Sequence, residues 1–163
     1  MTTNEQREIS ILKSLLEQAV QKTYAEADLL VNREGKSRKG IEQSIAFRVG
    51  IHLQELLKTP KFSAFSALNL DCEYNKYGDD PKATLRFPDG IRPDLLIHSR
   101  GNQDSNKLAV EFKGWWNTNR RKDIQKLKDL TSDVEPYKYS LGALVIFNNR
   151  QPKYVYFQHG QET

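Results

Sequence analysis

The segment LAVEFKGWW, residues 108–116, puts an acid and a base, Glu111 and Lys113, inside an apolar run that reads as a buried strand. Burying charge is costly unless the group is paired, bound to a metal or used in chemistry. Side chains alternate along a strand, so Glu111 and Lys113 share a face with Ala109, while Leu108, Val110 and Phe112 point to the opposite, core face. In the preceding apolar segment, IRPDLLIHS, Asp94 shares a face with Leu96. The short polar turn RGNQDSN makes the two strands antiparallel neighbours, so that Asp94 lies across from Glu111 near the open end of a sheet. Two hard carboxylates suit Mg²⁺ or Mn²⁺, which keeps water in its other positions. Such an ion acidifies a bound water and offsets charge on a phosphoryl group. A lysine beside it can orient or deprotonate that water and stabilise the negative charge that develops.

A second carboxylate signal comes from a helix. At 100° per residue, Ile41, Ile45, Ala46, Val49, Leu53, Leu56 and Leu57 form one apolar arc, and Glu42 falls between Val49 and Leu53. Glu42 should therefore face the sheet and meet a positive group: Lys113, a metal, or structurally Arg48 or Arg92. Beyond the lysine strand stand Trp115 and Trp116, then Arg120, Arg121, Lys122 and Lys126. From Lys113 to Lys128 there are six basic residues and one acid, Asp123. Arg33–Lys39 holds four basic residues and one acid. Such clusters suit a phosphate backbone, and a solvated helix face or loop is the bland alternative. Adjacent indoles point in different directions, so the two are not both expected in one core; a core or dimer contact accounts for one, and the other could stack on a base or wedge a duplex. Asp123 and Lys126 open the last helix near the site, where helix-end electrostatics explains Asp123 equally well. His52 and His98 read as structural or exposed, and Cys72 as a core residue.

The elements that must position these residues follow from periodicity and punctuation. Residues 5–31 carry apolar positions at helical spacing, and NREGKSRKG breaks the pattern. A second helix runs from about Ile41 to Leu57 and stops before Pro60. ALNLDCEYNKY is an expected strand, followed by a loop or ragged hairpin over GDDPKATLRFPDG. IRPDLLIHS and KLAVEFK are strands, residues 120–134 a helix capped by Thr118 or Asn119, SLGALVIFNN a fully apolar central strand, and KYVYFQ the strand that closes the sheet. The expected class is α/β, a mixed sheet flanked by helices.

The pattern RPDLLIH…KLAVEFKG, with KDIQKLKDL after it, resembles the PD-(D/E)XK nuclease superfamily, and in particular its small stand-alone bacterial members. The Pro-Asp element matches Pro93 and Asp94; the Glu-X-Lys element matches Glu111, Phe112 and Lys113; the acid that many members carry on the first core helix matches Glu42. The resemblance implies a restriction-endonuclease-like core, α-β-β-β-α-β, over residues 40–158, with residues 1–36 an extra N-terminal helical extension of a single domain. It also implies a Mg²⁺- or Mn²⁺-dependent phosphodiester hydrolase with DNA as the expected substrate. Asp94, Glu111 and the Phe112 carbonyl would hold the metal. Lys113 would position or activate water, and Glu42 would serve a second metal or an outer-shell water. Trp115, Trp116, Arg120, Arg121, Lys122 and Lys126 would contact nucleic acid.

The composition sets the outer bounds. With 163 residues, 37% hydrophobic and 28% charged, the chain suits one globular domain. Its apolar runs are too short to span a bilayer, and MTTNEQREIS has no apolar signal core, so no membrane role and a cytoplasmic location are expected. One cysteine excludes an internal disulfide, and three scattered histidines lack zinc-ligand spacing. A net charge of +4 favours an anionic partner. A homodimer fits the need to cut both strands of a duplex. The rival readings are a non-cleaving binding module of the same fold, for nucleic acid or protein, and a nuclease acting on RNA.

Overall fold

The computed structural model describes residues 2–26, 42–102, 104–148 and 151–163. Helix α1 (Thr3–Ala25) opens with a capping box, in which Thr2 Oγ1 accepts from the Glu5 N–H and the Glu5 carboxylate from the Thr2 N–H. Helix α2 (Glu42–Leu57) follows. The expected end of the first helix at residue 31, the basic cluster Arg33–Lys39 and Ile41 lie outside the described residues. A 3₁₀ helix at Pro60–Phe65, absent from the sequence expectation, buries Phe62 and Phe65.

The strands are β1 (Asn69–Cys72), β2 (Lys76–Tyr77), β3 (Asp80–Pro81), β4 (Leu95–His98), β5 (Leu108–Gly114), β6 (Leu141–Phe147), β7 (Lys153–Gln158) and β8 (Gln161–Glu162), with helix α3 (Arg121–Thr131) between β5 and β6. Six of them form one sheet in the order β1-β4-β5-β6-β7-β8, and β2 and β3 form a separate two-residue hairpin. Only the β5–β6 pair is parallel, so the sheet is mixed. The crossover through α3 is what permits that pairing, since parallel neighbours cannot be joined by a tight turn.

Several boundaries differ from the sequence reading. The expected strand ALNLDCEYNKY divides because Glu73 takes a left-handed φ of 49° and turns the chain out of β1. Strand β4 is confined to LLIH, and Asp94 stands immediately before it. Helix α3 spans 121–131 rather than 120–134, and its N-terminal position is Arg120 without a side-chain cap; Asn119 and Thr118 do not supply one. Strand β7 does not close the sheet, because β8 adds a short edge. Cys72 is exposed on edge strand β1, not in the core.

Two apolar layers flank the sheet. On one face Leu12, Leu16, Val49 and Leu53 from α1 and α2 meet Leu95, Ile97, Leu108, Val110, Phe112, Ala143 and Val145. On the other, Leu127 and Leu130 of α3 meet Leu96, Ala109, Leu144, Ile146 and Phe157, with Tyr137 and Tyr139 from the loop after α3. All seven residues of β6 are buried, the signature of a central strand covered on both faces. Although α1 lies outside the stretch that the resemblance covers, its apolar face belongs to the first of these layers. Among the described residues no helix is long and apolar enough to cross a membrane.

Candidate active site

The alternation along β5 is as expected. Leu108, Val110 and Phe112 enter the layer under α1 and α2, and Ala109 enters the layer under α3. Glu111 and Lys113 therefore continue the α3 face toward the carboxyl end of the strand, where the core gives way to charge. Strands β4 and β5 pair as Leu95 with Val110, so Asp94, one residue outside that ladder, falls opposite Glu111. Its backbone carbonyl accepts from the Glu73 N–H at 3.2 Å, which extends the β1–β4 pairing by one residue. Its Oδ2 accepts the Phe112 N–H at 2.7 Å, locking the carboxylate against β5. In a strand the N–H and C=O of one residue point to the same side. The Phe112 carbonyl thus faces the edge where Asp94 stands.

Glu42 is the first residue of α2, and its side chain is 26% exposed rather than buried within the apolar face. It reaches the site from the opposite layer. Its Oε1 accepts from the Gly114 N–H at 3.0 Å and from Asn117 Nδ2 at 3.1 Å, and its Oε2 lies 3.2 Å from Lys113 Nζ. The structural partners considered for it are engaged elsewhere: Arg48 with Glu26 and Arg92 with Glu73. The Trp116 ring lies over Gly114, where a Cβ would come within 2.2 Å of it, so any larger residue there would displace the indole.

Helix α3 contributes two further groups from one side, three residues apart. Asp123 Oδ2 lies 3.3 Å from Lys113 Nζ and its Oδ1 3.4 Å from Lys126 Nζ, and Lys126 Nζ donates to Glu111 Oε1 at 2.7 Å. Acids and bases thus alternate in a chain: Glu42, Lys113, Asp123, Lys126, Glu111. Lys126 was expected on the phosphate-binding surface, but its side chain is only 14% exposed and turned inward onto two carboxylates. The sequence placed Asp123 and Lys126 near the site; it gave no sign that Asp123 ties both lysines together.

Burial and charge act together on these groups. Burial, with the Asp94 charge adding to it, pushes the Glu111 carboxyl up to about 8 against the opposing pull of Lys126. Burial also raises Asp94, against the Phe112 N–H and the two lysines. For Lys113 burial alone would favour the neutral amine, but Asp123 and Glu42 outweigh it and the pKa rises. Lys126 rises in the same way through Glu111 and Asp123. Both lysines therefore stay ammonium near neutral pH.

Trp115 and Trp116 are both half-buried and pack on one another edge to face, ring centres 5.9 Å apart. The Trp115 N–H donates to the Phe147 carbonyl at 2.9 Å and carries the β5–β6 ladder past its end. Neither indole is fully buried and neither stands fully free. Arg120 is half-buried, while Arg121 and Lys122 are exposed at the start of α3. The histidines are structural: His98 is buried against Asp71 at 2.9 Å, and His52 lies 3.0 Å from Glu26.

No family model, curated protein or solved structure matches the chain. The site has to be read from its own chemistry.

Among the described residues no group of three or more His, Cys, Asp or Glu side chains is arranged as a metal cage. Two carboxylates and a carbonyl are a different arrangement, one that suits a hard ion keeping much of its water. Asp94 Oδ1 and Glu111 Oε2 are not used in the bonds that hold these side chains. The charges also point this way: Glu42, Asp94, Glu111 and Asp123 against Lys113 and Lys126 leave two negative charges when all are ionised. One divalent cation balances them, and it would sit beside a Glu111 carboxyl that burial first, and the Asp94 charge second, already hold up.

Proposed function

We propose that the chain is a metal-dependent nuclease with a restriction-endonuclease-like core, hydrolysing phosphodiester bonds in DNA. The observation that carries this reading is the meeting of Asp94, Glu111 and Lys113 at one end of the sheet, with Glu42 brought to Lys113 from the opposite layer. The order α2, β1, β4, β5, α3, β6 supports it as well. A purely structural salt bridge would need one acid for each base, whereas this cluster holds a surplus of carboxylate in a buried place.

On this reading Asp94, Glu111 and the Phe112 carbonyl hold Mg²⁺ or Mn²⁺. When bound, that ion supplies a more acidic water and neutralises charge on the phosphoryl oxygens. Lys113, kept protonated by Asp123 and Glu42, orients the attacking water and faces the negative charge that grows on the phosphorus substituents. It does not serve as the base. Glu42 fixes the Lys113 ammonium by a hydrogen bond, while the Gly114 N–H and Asn117 fix Glu42 in turn. Arg121 and Lys122, exposed where α3 begins, hold the phosphate backbone.

The test is incubation with supercoiled, linear, branched and single-stranded DNA and with RNA, in Mg²⁺, Mn²⁺ and EDTA. Cleavage of at least one DNA that stops in EDTA is the expected result. Cleavage undiminished by EDTA speaks against the assignment, and preference for RNA corrects its substrate. The non-cleaving alternative draws on the 2.7 Å Lys126–Glu111 bond, which fills a ligand position. It predicts nucleic-acid or protein binding without any Mn²⁺ affinity.

A further inference from the structure

Beside Asp94, on the side away from α3, lies a cavity of about 310 Å³ between α2 and edge strand β1, lined by Gln43, Ala46, Phe47, Cys72, Glu73 and Asp94. Its floor is apolar. Phe47 belongs to neither core layer and is 61% exposed at the mouth. One wall is polar: the Gln43 amide donates to Glu73 Oε1 at 3.2 Å, and Arg92 lies 3.5 Å from the other Glu73 oxygen. A flat apolar surface with hydrogen-bonding groups along one side, sized for a single small group, matches a planar heteroaromatic ring with a polar edge.

We infer that this cavity takes one unpaired nucleobase of the substrate, the base next to the scissile phosphate, stacked on Phe47. This rests on the nuclease reading and adds a substrate class to it. The link is Asp94, which both lines the cavity and stands in the candidate site. A strand whose phosphate lies at Asp94 and Glu111 brings a neighbouring nucleoside to this wall. Stacking on Phe47 requires that base to have left its own stack, so the substrate is single-stranded, flapped or distorted at the cut and not an unbroken duplex. The Gln43 amide and the Glu73 carboxylate present a donor and acceptors to the base edge. A protein or lipid occupant fits less well, because it would gain nothing from the shared Asp94 wall.

The experiment scans a single abasic residue through an oligonucleotide with an unpaired segment, using wild type, Phe47→Ala and Phe47→Tyr. Binding is read by fluorescence anisotropy in Ca²⁺ and cleavage in Mg²⁺. Phe47 is exposed, so both variants should keep the wild-type melting temperature. One abasic position next to the cut should weaken wild-type binding roughly ten-fold. Phe47→Ala should bind intact substrate about as weakly and be insensitive to that abasic position, and Phe47→Tyr should restore both. A flat scan in a wild-type protein that does cleave, or an unchanged Phe47→Ala, overturns the base pocket and leaves the nuclease reading standing. A wild type that neither binds nor cuts any nucleic acid overturns both.

Discussion

Glu111 is held where its charge is least welcome, 2% exposed and close to a second carboxylate, and this has a measurable consequence for stability. With a folded-state pKa near 8 against an ordinary 4.5, the folded protein binds a proton that the unfolded chain releases. That stabilisation is fully present below pH 4.5 and is lost as pH rises through 8; Asp94, also raised, acts in the same direction. The metal-free protein should therefore melt at progressively lower temperature between pH 5 and 8, and Glu111→Gln should flatten that slope, raising the midpoint at pH 8 by several degrees. Melting curves in EDTA across this range check it; parallel slopes for the two proteins would contradict it. Lys126 gives the complementary prediction. Its ammonium neutralises Glu111 at 2.7 Å, so it competes with a metal ion for that carboxylate. Lys126→Met should bind Mn²⁺ roughly ten-fold more tightly without substrate, as about 1.4 kcal/mol of competition is removed. Electron paramagnetic resonance of free Mn²⁺ measures this, and unchanged or weaker binding would show that Lys126 has no such role.

At the scale of elements, α3 sends its side chains to three different places. Leu127 and Leu130 pack under the sheet, Asp123 and Lys126 point into the site, and Arg121 and Lys122 remain outside. If the outer pair touches phosphates, Arg121→Ala with Lys122→Ala should weaken binding to all sequences alike and reduce the salt slope by roughly one unit per lost contact. Titrations at several salt concentrations decide, and an unchanged slope returns the pair to a solvated helix end. The same helix shows what could be read in advance. That a helix follows β5, the β5 alternation and the antiparallel β4–β5 pair were legible, because hydrophobic period and turn residues report which strand face is buried and where the chain reverses. The direction in which Glu42 looks was legible too, because the apolar arc of α2 fixes which side of the helix meets the sheet. The place of Lys126 near the site was legible, but not its partners, because a lysine on a basic helix looks the same in sequence whether it meets solvent or a buried acid. Cys72 was misread because a short edge strand exposes what its apolar neighbours suggest is core. Phe47 was not legible, because an aromatic residue on a largely apolar helix gives no sign that it faces a cavity.

Across the whole molecule, the sheet separates two apolar layers, and the end of the sheet where β5 finishes and β4 begins joins them. Glu42 comes from the α1–α2 layer, Asp123 and Lys126 from the α3 layer, and Asp94, Glu111 and Lys113 from the sheet between. No segment holds the cluster alone, so it exists only in the folded chain, and on the proposed function its uncompensated charge is a cost the fold bears for metal binding. That purpose is best tested by comparing phosphodiester cleavage in Mg²⁺ by the wild type, Asp94→Asn and Glu111→Gln, each first shown to fold. The account predicts cleavage by the wild type and a loss of at least about 10³-fold in both variants, some 4 kcal/mol of barrier or more. Wild-type rates in either folded variant would contradict it.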